Sequence, residues 1–380
     1  MERPIFQPIG TPVEELDTPA LVVDLDLMDK NIETLHAAFR RSNVKVRPHV
    51  SVHQCPQIAH RQLSAGGTVE GISVSTLGEA EVFSNAGFND VLVASQIVTA
   101  PKIRRLCALA RANKIAVAVD SAGNVTQLSE AAQTSGVTLG VLVEIDAGLG
   151  RCGVSPGAEA LELAQAVQSS PGLRFDGLMA IPPVVFPVAL SDEGSQEATQ
   201  PADTAAQARD QLQPVVDTRD LIEGAGIQVS VVSVGGTHNY DVASELKGIT
   251  EVQAGSYPLM DYHYCQCRPE FSPAARVLAS VVSRPTGQSA VVDAGHKATG
   301  PDRGIAVLDG VPGAEAVRFS AEHGVLSLES DPSPHIQRGD KTWLVPYDLG
   351  LCFNQYDYVR AVRGGVLEGF WPIAGRGRLD

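Results

Sequence analysis

From about residue 20 to 260 the chain alternates short β-branched runs with amphipathic stretches, and this alternation restricts the fold more than any other feature. The runs are "ALVVDLD", "KVRPHVSV", "GISVST", "DVLVAS", "IAVAVDS", "LGVLVEID", "FDGLMAIP" and "VSVVSVGG". Between them lie stretches such as "DKNIETLHAAFRRSN", "GEAEVFSNAG" and "PKIRRLCALARANK". Their apolar residues fall three and four apart, and several end at Gly or Asn, as helices do. Strands separated by helices pair in parallel through crossovers. Eight such units predict a closed (β/α)8 barrel with its active site at the C-terminal strand ends.

After residue 270 the texture changes. "AARVLASVVSRP", "SAVVDAG", "GVLSLES", "KTWLVPYD" and "YVRAVRGGVLEGFWPI" read as short strands joined by turns, with almost no helix. A chain of 380 residues exceeds what one core usually holds. The expected division is a barrel over residues 15–268 and an all-β domain over 269–380, with residues 1–14 packed against the latter. The connection at 187–212, "PVALSDEGSQEATQPADTAAQARDQL", begins polar and acidic before turning helical. It reads as a mobile loop over the barrel mouth or as a solvated insertion.

The formal net charge of −15 argues against nucleic-acid or anionic-membrane partners, because phosphates are repelled. No apolar run is long enough to span a bilayer. The start, "MERPIFQPIG", lacks the apolar core of a signal peptide. Six scattered cysteines lack the density of a disulfide scaffold, so a reduced, cytoplasmic setting is expected.

Several stretches carry chemistry. In "KVRPHVSVHQ", residues 45–54, strand parity puts Arg47, His49, Ser51 and His53 on one face and Val46, Val50 and Val52 on the other. A polar row on the inner face of a barrel strand suits a ligand pocket, whereas either histidine alone is equally a satisfied core residue. In "SVGGTHNY" and "QAGSYPLMD", Gly235, Gly236, Thr237, Gly255, Ser256 and Tyr257 supply amide and hydroxyl donors that suit a phosphate cup beyond the last strand. A tight turn is the plainer alternative. In "EIDAGLGRCGV", Arg151 follows a Gly-rich turn and either faces the mouth or is a surface arginine.

Taken together, "TPALVVDLD", "RPHVSVHQCPQIAHRQLSAG", "STLGEAE", "EIDAGLGRCGV", "SVGGT", "QAGSYPLMD" and "VVDAGHKA" resemble the D-threonine aldolase / D-serine dehydratase family nearly end to end. That resemblance implies an alanine-racemase-like barrel with a C-terminal β domain. It also implies pyridoxal phosphate held as an imine by a lysine on the second strand. A divalent metal bound by a His and a Cys near the C-terminus would gather the substrate's β-hydroxyl, and the cofactor would act as electron sink. A homodimer is implied in the same way.

The chain departs from the pattern where the chemistry lies. Ser51 stands where the family pattern, RPHAKTHK-like, has its lysine, and a hydroxyl cannot form an imine. Lys45 is six residues upstream, about 20 Å along a strand. Lys297 matches a lysine the family already has. In "PYDLGLCFNQYD", Asp348 replaces the metal-binding His and Gly350 the Cys, although Asp348 suits a hard cation and Cys352 lies close by. Ile181, Pro182 and Pro183 replace a Tyr-His-Gly step and cannot move protons.

A local cluster stands outside the pattern. "MDYHYCQCRPEF" alternates Asp261, His263, Cys265 and Cys267, which would share a face on an extended segment and bind zinc or a similar metal. Incidental polar residues at a domain crossover are the alternative. His296 replaces an apolar residue, and with His49, His53, His238 and His263 it would crowd one pocket as base or ligand.

The expected catalytic group is therefore His49, Ser51, His53, Arg151 and His296. Metal candidates are His263, Cys265, Cys267 and Asp348. Pyridoxal phosphate is expected only without a covalent link. The expected function is a divergent lyase on a small polar amino-acid-like or hydroxy-acid substrate. The alternatives are a non-covalent pyridoxal-phosphate binder and a catalytically dead binding partner.

Overall fold

The computed structural model describes residues 7–186, 201–300, 304–329 and 336–380. They divide into two compact units. One comprises Met1–Thr34, Val52–Ile58 and Ser256–Arg376; the other comprises Leu35–Ser51, Ala59–Gly255 and Gly377–Asp380.

The second unit is the barrel. Its strands are β2 (Lys45–Val46), β3 (Ile72–Val74), β4 (Asp90–Gln96), β5 (Lys114–Val119), β6 (Leu139–Glu144), β7 (Leu173–Ala180), β8 (Val231–Val234) and β9 (Glu251–Val252). All pair in parallel, in the order β2-β9-β8-β7-β6-β5-β4-β3. Bridges Val46↔Thr68 and His49↔Ser73 join the two ends of that order and close the ring. Helices cover its outer face, so the strands read as near-continuous apolar runs. Local signals set the helix ends. Ser121 caps Ala122–Ser135, and Gly136 ends it at φ 64°.

The barrel interior is packed rather than hollow. Leu92, Ala94, Ala118, Leu142 and Met179 form one buried cluster inside it. β7 and β8 approach so closely at Gly177 (φ 151°) that a Cβ there would lie 1.8 Å from the Val231 carbonyl oxygen. Only glycine fits that contact.

At the strand starts the barrel holds a buried ion cluster. Arg47 Nε and Nη2 donate to the two oxygens of Glu251 at 2.7 and 2.8 Å, and Nη1 donates to Asp90 at 2.9 Å. Asp90 also accepts from Lys114. The expectation that Arg47 shares a mouth-facing row with His49, Ser51 and His53 is therefore corrected. β2 ends at Val46, and Val50–Val52 forms a 3-10 turn, so strand parity does not extend to residue 53.

The other unit is β-rich. It contains β1 (Ala20–Asp24), β10 (Ala275–Thr286), β11 (Ser289–Val292), β12 (Val307–Asp309), β13 (Ala314–Phe319), β14 (Gly324–Leu328), β15 (Lys341–Val345), β16 (Tyr358–Arg363) and β17 (Val366–Pro372). The main path runs β13-β14-β11-β10-β1-β16-β17, with β15 pairing β10 and β12. "ALVVDLD", read as the first barrel strand, lies here instead, antiparallel to β10 and parallel to β16. The eighth barrel strand is the two-residue β9. Residues 10–13 hydrogen-bond to 365–367 through Gly10, Thr11 and Val13. Residues 187–200 of the expected insertion lie outside the described residues. The helix Pro201–Gly224 follows them.

Candidate active site

The C-terminal strand ends of the barrel bring three polar groups, Gln96, Asp120 and Glu144, to one rim, together with Ile181 and Gly235. Gln96 ends β4, Asp120 follows β5, Glu144 ends β6, Ile181 follows β7 and Gly235 follows β8. His49 follows β2, and its amide donates to Ala254 O at 3.0 Å. A Cβ on Gly255 would lie 2.6 Å from the His49 carbonyl oxygen, so glycine lets these two segments touch.

Ser51 is fully engaged. Its hydroxyl donates to Glu79 Oε2 at 2.7 Å and accepts from the Ser75 amide at 2.8 Å. Glu79 is buried and belongs to the capping box of the helix Leu77–Asn85. Thr76 Oγ1 accepts from the Glu79 amide at 3.1 Å, and the Glu79 carboxylate accepts from the amides of Ser75 and Thr76. The serine thus ties the 3-10 turn after β2 to the helix that follows β3.

Glu144 is buried, and Gln96 Nε2 donates to its Oε2. Burial pushes its carboxyl pKa up, against the pull of the Gln96 hydrogen bond and the Arg151 charge. Arg151 Nη2 lies 3.8 Å from Glu144 Oε1, and its side chain is 57% exposed, leaving it open to a ligand. The loop that presents Arg151 is held by its own amides and two carboxylates. Asp146 Oδ1 accepts from the amides of Gly148 and Gly150, and Asp120 accepts from the Gly153 amide. Gly153 (φ 102°) closes the loop where a Cβ would meet the Asp146 amide nitrogen at 2.6 Å. Burial, and then the charge of Arg151, push the His49 pKa down to about 4, so the imidazole is neutral at pH 7.

The expected glycine cup behaves differently. The Gly235 amide donates to Ala180 O at 3.0 Å, and the Gly236 amide donates to Asn239 Oδ1 at 2.9 Å. Both are spent inside the protein instead of converging on a ligand. Thr237 is buried in the short 3-10 turn Thr237–Asn239.

The remaining expected residues belong to the β-rich unit. His53 is buried, and its Nδ1 accepts from the Cys55 amide at 3.1 Å, which places the proton of the neutral ring on Nε2. Ser256 is hydrogen-bonded to the Tyr264 hydroxyl, and Tyr257 is a fully buried core residue 6.5 Å from Phe271, ring to ring. His296 begins the short helix His296–Thr299 beside Phe319.

"DYHYCQC" is not extended. Asp261 caps the helix Tyr262–Cys265, so His263, Cys265 and Cys267 do not share a face by alternation. Cys267 Sγ donates to Tyr264 O, and burial pushes the Cys265 and Cys267 thiols up to about 12 and about 11. Asp348 caps the helix Leu349–Phe353 by accepting from the Leu351 amide, and Gly350 offers no side-chain donor. These residues do not fit the His–Cys metal pair that the resemblance implies. Among the described residues, no group of three or more His, Cys, Asp or Glu side chains is arranged to hold a metal ion. Nor is any helix among them long and apolar enough to cross a membrane.

Sequence reasoning missed Glu79, Gln96 and Glu144. The signal for Glu144 was present: it is a carboxylate at the end of an apolar barrel strand, where catalytic groups sit. Glu79 was hidden in an ordinary capping pattern.

A closed parallel barrel with a polar C-terminal rim, in one chain with a mixed β sheet, defines the alanine-racemase-like class. The family model "Alanine racemase, N-terminal domain" matches residues 23–262, and "Putative serine dehydratase domain" matches residues 274–362. The chain is 36% identical to the D-threonine aldolase of Arthrobacter sp over 98% of its length and 96% of that protein. It is 33% identical to the 3-hydroxy-D-aspartate aldolase of Paracoccus denitrificans over 97% of its length and 94% of that protein. The crystal structure of D-threonine aldolase from Filomicrobium marinum superposes with a TM-score of 0.91 at 35% identity, covering 98% of this chain and 100% of that one. The chain belongs to the D-threonine aldolase / D-serine dehydratase family.

Proposed function

We propose that this protein is a lyase-type enzyme for a small polar hydroxy-acid or amino-acid substrate, working at the barrel mouth without an imine-linked cofactor. One observation carries the reading. The position where the resemblance puts the cofactor lysine is a serine locked to Glu79, while Arg151 lies 3.8 Å from Glu144 and its charge acts on His49. The names of the relatives, aldolases for D-threonine and 3-hydroxy-D-aspartate and a dehydratase for D-threo-3-hydroxyaspartate, support a lyase, and the last supports the loss of water.

The residues present do not fit a covalently held pyridoxal phosphate. Lys45 Nζ donates to the carbonyls of Phe39 and Ser42, and Lys114 Nζ pairs with Asp90 at the strand starts. Neither amine belongs to the mouth.

In the proposed reaction Arg151 takes the substrate carboxylate, as an open guanidinium does. Neutral His49 accepts the proton from the carbon beside the carboxylate. Glu144, whose carboxyl burial holds above its ordinary range, delivers a proton to the departing β-hydroxyl from its protonated form. A carbon–carbon double bond forms, water leaves, His49 is left protonated and Glu144 ionised. The released enamine tautomerises to an imine that water hydrolyses to 2-oxo acid and ammonia, whereas the enol from a hydroxy acid tautomerises directly. Proton transfer to solvent resets both residues. An imidazole with so low a pKa is a weak base, so turnover is expected to be slow.

The test is incubation of the purified protein with D-threonine, 3-hydroxy-D-aspartate, D-serine and D-glycerate, with no cofactor added, followed by detection of 2-oxo acid. Oxo-acid release that disappears in Glu144→Gln supports the reading. No product from any of the four, or full activity in Glu144→Gln, overturns it. Product only after pyridoxal phosphate is added favours the non-covalent binder instead.

A further inference from the structure

A cleft of about 540 Å³ opens within the β-rich unit. It is lined by Asp17, Asp293, Tyr356, Asp357, Arg360 and Phe370, with Lys297 and Glu322 at its edge. All of these residues belong to that unit, and none was singled out by the sequence reading except Lys297.

Most charges there are accounted for. Asp357 pairs with Arg376 at 2.5 Å, and Lys297 with Glu322 at 2.5 Å. Asp293 accepts from Thr18 Oγ1 at 2.6 Å and from the Ser280 amide at 2.8 Å. Two groups are not accounted for. Arg360, on β16 opposite Phe370 of β17, forms no ion pair among the described residues, and its Nε is buried without a hydrogen-bond partner. The buried Tyr356 hydroxyl likewise has no partner among the described residues. A guanidinium and a phenol left unsatisfied in one cleft are donors waiting for an acceptor, because buried polar groups are normally paired.

We propose that this cleft is a second small-molecule site, which binds a small zwitterionic amino acid by its carboxylate on Arg360 and Tyr356 and by its ammonium beside Asp17 and Asp293. The charge balance selects that class. Four carboxylates against two cations repel a phosphate dianion, whereas a carboxylate with an ammonium one carbon away meets both signs. Asp17 is the acid whose charge acts on Arg360, and Asp293 acts on Tyr356, so each donor has an acidic neighbour. The planar fork of arginine suits a carboxylate. The volume suits a small ligand.

The test is isothermal titration of the full chain with glycine as the probe, alongside acetate and methylamine. Glycine is expected to bind, and acetate and methylamine to bind at least about tenfold more weakly. Arg360→Gln is expected to weaken glycine by at least about tenfold, with Tyr356→Phe and Asp17→Asn weakening it less. Circular dichroism confirms that each variant is folded. Arg151→Gln, which removes the carboxylate anchor proposed for the barrel mouth, is expected to leave glycine binding unchanged. Glycine binding lost in that variant places it at the mouth and overturns the second site, so this site and the proposed active site fail separately. The proposal is overturned by absent glycine binding, by unchanged binding in folded Arg360→Gln, or by acetate binding as tightly as glycine.

Discussion

Ser51 and Glu79 hold each other at 2.7 Å, and the same Glu79 closes the capping box of the helix Leu77–Asn85. One carboxylate therefore fixes both the turn after β2 and the start of a helix. Ser51, expected among the catalytic residues, has its hydroxyl engaged in this pair.

Ser51→Ala removes a donor to a buried carboxylate. Such a bond is worth about 1.5–3 kcal/mol, and the Ser75 amide keeps Glu79 as acceptor. The expected loss is at the lower end of that range, read as a fall in the urea midpoint at constant m. An unchanged midpoint would show that the contact contributes nothing.

Arg47→Ala strands Glu251 and Asp90 at the strand starts without their cation. Breaking one side of a buried pair costs about 3–5 kcal/mol, so the variant is expected to be the least stable discussed here. Replacement of Arg47 and Glu251 together by apolar residues is expected to recover much of the loss. Denaturant titration of the single and double variants measures both.

His49 sets an acid limb of stability. Its native pKa lies near 4 and its ordinary value near 6.5. Between them the unfolded chain binds a proton that the native ring refuses. Stability is therefore full above about pH 6.5 and falls as pH drops towards about 4. His49→Gln is expected to flatten that limb, seen by comparing melting curves at about pH 7 and about pH 5. A limb that stays as steep in the variant assigns it to other groups.

Glu144 sets the opposite limb of activity. Its carboxyl is held above the ordinary range, and the proposed role needs it protonated. Turnover is expected to fall as pH rises through that raised pKa. Glu144→Gln is expected to lose about 10²-fold or more in kcat and to lose that limb, with the fold intact. A pH–rate profile of both proteins decides it, and an identical basic limb in the variant would remove Glu144 from the role.

The barrel was legible because its helices and strands alternate with the right periods, and the change to short strands after residue 270 was equally plain. Individual strands were not. "ALVVDLD" has the composition of a barrel strand, yet its partners are β10 and β16, and composition does not name a partner. β9 is two residues long, too short for any pattern to mark. The row from Arg47 to His53 failed because Val50–Val52 coils into a 3-10 turn. "HYCQC" alternates in sequence, but Asp261 starts a helix there. At the mouth, Arg151 and His49 were visible as motif residues. Their neighbours Glu144 and Gln96 come from strands 48 residues apart, and only the closed ring brings them together.

The most direct test treats the purified protein with pyridoxal phosphate, reduces it with borohydride and maps peptides by mass spectrometry, with Ser51→Lys in parallel. The wild type is expected to carry no pyridoxyl group on any mouth residue, and Ser51→Lys to carry one at position 51. A pyridoxyl-lysine at the wild-type barrel mouth would contradict an active site that works without an imine.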